Sequence, residues 1–282
     1  MKSKIFNYFP VKNILSSIDS DIGRYGLNGT MRRIINKCGI RLEIVNRTRD
    51  LEEILKNKPV IVVANHPAEA DVLAILAALP KRDDLRLIMN ACFVNICKKM
   101  DRHIIPVHIL SKLASKGEMG NVKILNKISS FPMYTAKEEH QKNIENLLTA
   151  SRMVYKGGML IIFPAAGSDD EKWLNGIGYI IKNSDKKSGV YIVKAFIEGT
   201  SKWDYLRIVP LVGRLLPKFK VTFDEAVDLS FYWSEDPKVI TSNIEADFND
   251  WSRKVRKTTY FLPYKSYAIL RSVFFWLMMK NS

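Results

Sequence analysis

The chain has 282 residues, of which 47% are hydrophobic and 26% are charged, so it can bury one large core and is not a disordered polyelectrolyte. Its formal net charge of +15 predicts a surface that attracts polyanions such as anionic lipid, coenzyme A, acidic carrier protein or nucleic acid. Cys38, Cys92 and Cys97 match neither a disulfide framework nor a paired zinc-ligand spacing, which favours a reducing cytoplasm.

Short apolar runs alternate with helical patterns from about residue 59 to residue 225. This alternation predicts an α/β fold with a central mixed sheet of about six or seven strands flanked by helices. The predicted strands are residues 59–64, 85–89, 104–107, 159–163, 190–196, 206–211 and 219–223.

Helical patterns lie between these strands. Residues 71–79 are apolar and end at Pro80, and the stretch between residues 89 and 104 is a further helical candidate. Thr135 and Glu138 form a capping box that starts a helix running towards Gly157. Asp236 with Pro237 predicts the start of a C-terminal helix. Its apolar face comprises Ile240, Ile244, Phe248, Trp251 and Val255.

The pattern predicts three parts: an N-terminal helical or interfacial segment at 1–50, the α/β domain at 51–230, and C-terminal helices at 231–282 that pack on the domain or on a membrane surface. The terminal helices are expected to be amphipathic. The N-terminal residues lack an apolar stretch long enough for a signal peptide. The apolar run 273–279 is far short of the ~20 residues that cross a bilayer.

A chemical site is predicted where the strand 59–64 gives way to the helix 71–79. There the turn can fold the carboxylate of Asp71 back towards the imidazole of His66. Asp71 would hold one ring nitrogen as N–H and leave the other free to take a proton from a hydroxyl that attacks a carbonyl. The alternative is that His66 caps the helix and Asp71 is a first-turn acid favoured by the helix dipole. The pair alone leaves both interpretations open.

Further motifs extend the pattern. The Asn65-His66 pair followed by Asp71, directly after a hydrophobic strand, resembles the first motif of the glycerolipid acyltransferase superfamily, which includes lysophosphatidate acyltransferases. Phe163 and Pro164 are similar to the start of the family's Phe-Pro-Glu-Gly-Thr-type turn. The segments 173–178, 105–107 and 190–195 resemble other family motifs, and the whole resemblance covers roughly residues 55–215.

The resemblance implies an O-acyltransferase that moves a fatty acyl group from a thioester donor to the hydroxyl of a lysophospholipid or related glycerolipid, without a covalent acyl-enzyme. The donor is acyl-coenzyme A or acyl-carrier protein, and His66 is the general base oriented by Asp71. We expect no cofactor and no metal, because His103, His108 and His140 lack partners at ligand spacing. The predicted substrate-binding residues are Asn65, Phe163, Pro164, Gly167, Lys172 and Lys194.

The chain departs from the family pattern at several positions. Ala165 replaces a glutamate, and residues 168–170 (Ser-Asp-Asp) lie where an arginine is usual. His108 and Ile109 replace an Asp-Arg pair, and Lys194 replaces a proline. Because an arginine fork is the natural ligand of a phosphomonoester, these departures predict a bias towards acceptors with a phosphodiester or a cationic or neutral polar headgroup.

A lysolipid acceptor requires contact with a bilayer, and both ends of the chain combine basic with aromatic or aliphatic residues. These residues are Ile5, Phe6, Tyr8, Phe9, Val11, Arg253, Lys254, Arg256, Lys257, Tyr260, Phe261, Phe274, Phe275 and Trp276. We expect peripheral attachment to the anionic cytoplasmic face of the cell membrane, with packing of both ends on the domain as the alternative.

Two other functions compete with this one. The first is a catalytically degenerate lipid-binding member of the same fold. The second is a basic nucleic-acid-binding protein, which is disfavoured because zinc-finger, basic-zipper and RNA-recognition signatures are absent from the sequence. We therefore expect no nucleic-acid partner.

Overall fold

The computed structural model of the protein describes residues 11–66, 68–109, 134–165, 172–183, 189–201, 204–208 and 216–259. The chain divides into two units, Met1–Ile244 and Glu245–Ser282. The predicted membrane-contacting residues 5–9 and 260–276 lie outside the described residues. Among the helices of the described residues, none combines the length and the apolar composition that crossing a bilayer requires.

The helices and strands alternate through most of the chain. The strands are β1 (Leu42–Val45), β2 (Val60–Ala64), β3 (Arg86–Asn90), β4 (Ile104–Val107), β5 (Met159–Ile162), β6 (Tyr191–Glu198), β7 (Phe219–Phe223) and β8 (Val227–Asp228). The α-helices are α1 (Val11–Lys37), α2 (Arg49–Asn57), α3 (Asp71–Ala78), α4 (Lys98–Asp101), α5 (Ala136–Tyr155), α6 (Gly176–Lys182) and α7 (Pro237–Thr259). Short 3-10 helices lie at Ala91–Phe93, Asp204–Ile208 and Leu229–Phe231.

All eight strands form one mixed sheet in the order β1-β7-β6-β2-β5-β3-β4, and β8 also pairs with β6. The five strands β6, β2, β5, β3 and β4 are mutually parallel, whereas β7 and β8 run antiparallel to β6. Carboxyl ends of parallel strands meet at one edge of a sheet, and ligands of open α/β sheets bind outside that edge. The segments that follow β2 and β5 are therefore neighbours.

The centre of the sheet is completely apolar. Every residue of β2 (VIVVA) and of β5 (MLII) is buried. Continuous apolar runs are typical of parallel strands that are covered on both faces. These two strands provide a rigid platform for the residues that follow them.

Helix α3 lies against α1, and its C-terminal end is capped by two arginines. Arg32 of α1 donates from Nε to the carbonyl of Ala77 and from Nη2 to that of Leu79, both at 2.8 Å. Arg47 donates from Nη1 to the carbonyl of Ala78 at 2.5 Å. Carbonyls in the last turn of a helix have no partner within the helix, and cations there also interact favourably with the helix dipole. The arginines therefore fix the far end of α3.

The edge strand β4 is protected by helix α5. Asn146 donates from Nδ2 to the carbonyl of Pro106 at 2.8 Å. Asn143 accepts from the backbone N–H of His108 at 2.7 Å and donates to its carbonyl at 2.9 Å. Edge strands expose backbone groups that invite another strand, and proline removes one donor. The side chains of α5 satisfy several of those groups here.

The predicted α/β fold with a central mixed sheet is confirmed, and so are six of the seven predicted strands, within two residues at each end. The helices predicted at 71–79, after the Thr135 capping box and at Pro237 are confirmed, and 89–104 contains two short helices. The sequence does not predict β1, β8, α2 or α6.

The strand predicted at 206–211 is wrong over residues 206–208, which belong to the 3-10 helix Asp204–Ile208, and residues 209–211 lie outside the described residues. The physical reason is Arg207, whose side chain is buried. It donates from Nε to Asp204 at 2.6 Å and from Nη2 to the carbonyls of Gly199 and Pro217, at 3.1 and 2.8 Å. A buried guanidinium needs such partners, and they hold this segment in a turn instead of a strand.

Candidate active site

The imidazole of His66 meets the carboxylate of Asp71 where β2 leads into α3. His66 Nδ1 lies 3.2 Å from Asp71 Oδ2, and the backbone N–H of Ala68 donates to the same oxygen at 2.7 Å. The Asp71 side chain is fully buried, whereas 24% of the His66 side chain is exposed. Because a carboxylate only accepts, Nδ1 carries the hydrogen and Nε2 is the basic nitrogen. Nε2 makes no hydrogen bond to any described residue.

The alternative in which His66 caps α3 is wrong. The N-cap residue is Ala70, and no side chain makes a capping hydrogen bond there. Asp71 does lie in the first turn, where the dipole favours a carboxylate. Its second oxygen, Oδ1, is buried without a hydrogen-bond partner among the described residues. An unpartnered buried acceptor costs roughly 1–3 kcal/mol, and such groups in native proteins are typical of functional sites.

Phe163, the residue after β5, stacks on His66. The two ring centroids are 4.6 Å apart and the ring planes are inclined by 29°. The contact forms because β5 and β2 are parallel neighbours, with Val63 level with Ile162. Pairing of these strands thus brings together two residues that are nearly one hundred positions apart in the sequence.

Asn65 connects the end of β2 to β6. Its Nδ2 donates to the carbonyl of Ile197 at 2.9 Å, and its Oδ1 accepts from the backbone N–H of Ile197 at 2.7 Å. Backbone pairing of these strands runs as far as Ala64 and Ala195, so the amide side chain extends the ladder beyond it. The substrate contact predicted for Asn65 stays a prediction, and its observed role is to fix the backbone before His66.

The other predicted substrate-binding residues lie in different surroundings. Pro164 is buried, and its carbonyl accepts from the N–H of Leu174 at 3.1 Å, which ties the segment after β5 to the segment before α6. Lys172 is exposed, and Gly167 lies outside the described residues. Lys194 is only 4% exposed, and its ammonium lies 2.8 Å from the carboxylate of Asp224.

His108 occupies the corresponding edge of the sheet, after β4. It is buried, and its ring forms a T-shaped contact with the ring of Tyr134 at a centroid distance of 5.2 Å. Burial lowers the pKa of His108, Lys142 lowers it further, and Glu139 partly opposes both. The imidazole is therefore neutral at pH 7. A neutral ring here differs chemically from the charged Asp-Arg pair that the resemblance implies at this position.

A cavity of about 370 Å³ lies away from these residues. Its lining includes Arg86 at the start of β3 and Gly158 just before β5, so it is at the amino-terminal edge of the parallel strands, opposite His66. Within the described ranges, His, Cys, Asp and Glu side chains form no group of three that could hold a metal ion. The candidate active site is thus defined by side chains at the carboxyl edge.

Comparison with known proteins gives two findings. A family model described as Acyltransferase matches residues 46–214, which is more than half of the chain and includes His66, Asp71 and Phe163. A crystal structure of the 1-acyl-sn-glycerophosphate (LPA) acyltransferase PlsC from Thermotoga maritima is 18% identical, with a TM-score of 0.49, covering 90% of this chain and 83% of that chain. No curated protein sequence matches the chain.

Proposed function

The chain belongs to the Acyltransferase family, and we propose that it moves a fatty acyl group from a thioester donor to the hydroxyl of a lysophospholipid or a related glycerolipid. The donor is acyl-coenzyme A or acyl-carrier protein. The observation that carries the proposal is the 3.2 Å contact between His66 Nδ1 and Asp71 Oδ2, combined with a partly exposed imidazole.

In the proposed mechanism, His66 Nε2 takes the proton of the acceptor hydroxyl while the oxygen attacks the thioester carbonyl. The new C–O bond forms first, and the tetrahedral intermediate then expels the thiolate by breaking the C–S bond. The thiolate leaves as a thiol after it receives the proton from His66. Asp71 stabilises the imidazolium that exists between these two proton transfers. Both substrates are consumed in one transfer, with no acyl-enzyme.

The different environments of the two side chains support these roles. Asp71 is fully buried, which keeps water from screening its charge at Nδ1. The imidazole is exposed enough for a hydroxyl to reach its outer nitrogen. Asn65 and Phe163 constrain the backbone and the ring of His66 from two neighbouring strands. His66 lies in the connection between β2 and α3, so these two contacts supply the rigidity that a precisely placed base requires.

Two histidine variants test whether His66 is the general base. We expect His66→Ala to reduce acyl transfer by about 10²- to 10⁴-fold without loss of folding. His140→Ala is the matched control, because His140 is exposed on α5, and it should leave the rate unchanged. The assay measures thiol release and the acylated product by mass spectrometry, with lysolipid in vesicles. Equal rates for wild type and His66→Ala would remove the mechanism, and absence of any turnover in wild type would favour the lipid-binding alternative.

The acceptor proposal concerns the segment after Phe163. Residues 165–171 (AAGSDDE) contain three acids and no arginine. We propose a preference for lysolipids with a phosphodiester or an amino headgroup over lysophosphatidate, because acids repel a dianionic phosphomonoester. The specificity constants should differ by about tenfold, the order of one charged hydrogen bond. A preference for lysophosphatidate that persists in the double variant Asp169→Asn, Asp170→Asn would contradict this proposal.

We also propose that the protein attaches peripherally to the anionic cytoplasmic face of the cell membrane. Support comes from the net charge of +15 and from Arg253, Lys254 and Arg256, which are exposed on α7. Sedimentation with vesicles should require anionic lipid and should weaken as salt is raised. Equal binding to neutral and anionic vesicles would contradict the electrostatic part of the proposal.

A further inference from the structure

We infer that Phe163 is a positioning residue whose ring holds the imidazole of His66 in the orientation that proton transfer requires. The inference rests on the proposed function, since it assigns a second residue to the same site. Its basis is the stacked contact between the two rings, at 4.6 Å between centroids and 29° between planes.

The hydrogen bond to Asp71 leaves the imidazole incompletely constrained. At 3.2 Å it is longer than the 2.7–2.9 Å that is usual for charge-assisted N–H···O bonds. His66 makes no other side-chain hydrogen bond within the described ranges, so one bond at Nδ1 must hold the whole ring. A ring tethered at one nitrogen can still rock about that bond. The face of Phe163 restricts this motion and keeps Nε2 directed outwards.

The position of Phe163 is itself fixed by the sheet. It directly follows β5, whose last residue is level with Val63 of β2. On the other side of β2, Asn65 bonds to the backbone of Ile197 in β6. The imidazole is therefore held by three consecutive strands, and the ring that covers it moves with the same rigid framework.

The phenyl ring can also interact with the positive charge that His66 gains during the proposed proton transfer. Proton uptake converts the imidazole into an imidazolium, and a cation within about 6 Å of an aromatic face is attracted by the ring quadrupole. The attraction grows as the charge develops, so it stabilises the transition state more than the ground state. Phenylalanine offers this without a hydrogen-bonding group that would compete for Nε2. An aliphatic side chain of similar size offers packing alone.

The competing role for Phe163 is substrate contact, as the sequence predicts. A residue that touches substrate equally in ground and transition states changes KM and leaves kcat intact. A residue that orients the base changes kcat and leaves KM nearly intact. The two roles therefore differ in the parameter they affect, as well as in the state of His66 without substrate.

The test compares Phe163→Leu, Phe163→Met and Phe163→Tyr in the full chain, with Phe231→Leu as control because Phe231 is 76% exposed. We expect kcat to fall about ten- to thirtyfold in the Leu and Met variants, with KM within about twofold of wild type. Tyr should restore kcat to within about threefold. Carbon-13 relaxation of the His66 ring in the free protein should show a rigid imidazole in wild type and in Phe163→Tyr, and a mobile one in Phe163→Leu.

Several results would overturn the inference. A raised KM with unchanged kcat would assign Phe163 to the substrate, and wild-type kcat in both aliphatic variants would remove its role altogether. If Phe163→Leu does not fold, Phe163→Met and the NMR comparison decide. The NMR measurement needs no turnover: unchanged mobility of the His66 ring in the aliphatic variants refutes the positioning role, whereas absence of any turnover in wild type refutes the proposed function itself.

Discussion

The two ends of α3 differ in whether their polar groups have hydrogen-bond partners. At its C-terminal end, three successive carbonyls, those of Ala77, Ala78 and Leu79, accept hydrogen bonds from Arg32 and Arg47. At its N-terminal end, the cap residue Ala70 makes no side-chain hydrogen bond. One buried carboxylate oxygen of Asp71, the first residue of the helix, has no partner among the described residues. The three carbonyls at the C-terminal end therefore have hydrogen-bond partners, whereas a carboxylate oxygen at the N-terminal end has none among the described residues.

Within this short helix, the C-terminal end contributes to stability and the N-terminal end carries the candidate active site. Natural proteins break local rules of polar satisfaction mainly at functional sites, and other contacts compensate for the cost. Arg32 and Arg47 fix the C-terminal end of α3. Asp71 can therefore remain buried beside His66 without movement of the helix. The difference predicts that substitutions at the two ends affect different observables.

The largest effect should come from Asp71→Asn. We expect activity to fall about 10²- to 10⁴-fold, because the amide no longer stabilises the imidazolium and can impose the wrong tautomer on His66. Stability should change by less than about 1 kcal/mol, since the amide oxygen can still accept from the N–H of Ala68 and no charge is left buried. Turnover and urea unfolding measure the two quantities. Asp50→Asn is the control, because Asp50 is an ordinary first-turn acid of α2. Equal activity losses in Asp71→Asn and Asp50→Asn would show that the loss is not specific to the carboxylate beside His66.

At the opposite end, Arg32→Ala should cost about 2–3 kcal/mol of stability, because two buried carbonyls lose a charged donor. The folded fraction should retain catalysis. Arg33→Ala provides the neighbouring control: the Arg33 side chain is 44% exposed and its Nε lies 4.0 Å from Asp21, a pair that contributes less than about 1 kcal/mol. Chemical denaturation of both variants would test this, and similar midpoints would argue against the capping role of Arg32.

Asn65→Asp should have an intermediate effect of about 1–2 kcal/mol on stability. The aspartate can still accept from the N–H of Ile197 but cannot donate to its carbonyl, which is left buried and repelled. Asn57→Asp is the matched control, because the amide of Asn57 donates to Glu53 at the surface. A destabilisation confined to Asn57→Asp, or shared equally, would show that the connection to β6 is not needed.

The smallest effect concerns pH. Burial lowers the pKa of His108 below its usual value of 6.5, and the pKa of His103 is lowered likewise. The unfolded chain therefore binds protons that the folded chain does not, so stability is complete above pH 6.5 and declines as pH falls below it. Urea unfolding at pH 7.0 and 5.5 should show a smaller decline for His108→Gln than for wild type. Identical declines would mean that His108 does not contribute.

Much of the fold could be predicted because its central strands are distinctive. The runs that form β2 and β5 are continuously apolar and bounded by Pro59, Gly158 and Pro164, which is a local signal. The strands β1 and β8 have four and two residues with partly exposed side chains, so they carry little pattern. Their existence depends on partners elsewhere in the sheet, which local periodicity does not reveal.

The same division applies to the site. His66 and Asp71 are five residues apart, so the turn that joins them is local and their contact follows from spacing. The contacts of Phe163 with His66 and of Asn65 with Ile197 depend on which strands are neighbours. Lys194 illustrates the limit: its partner Asp224 is brought there by the antiparallel pairing of β6 with β7, so sequence reasoning considered its charge without its counterion.

The bond between Asn65 and Ile197 also bears on the timing of synthesis. Its two residues are 132 positions apart, so a growing chain carries His66 long before the strand that steadies it has been made. Phe163 is added in between, and β6 pairs with both β2 and β7 in the finished sheet. Long-range pairing of this kind is slow because loop closure precedes the gain from contacts. A nascent chain that stops short of residue 197 should therefore carry the two proposed catalytic side chains and remain inert.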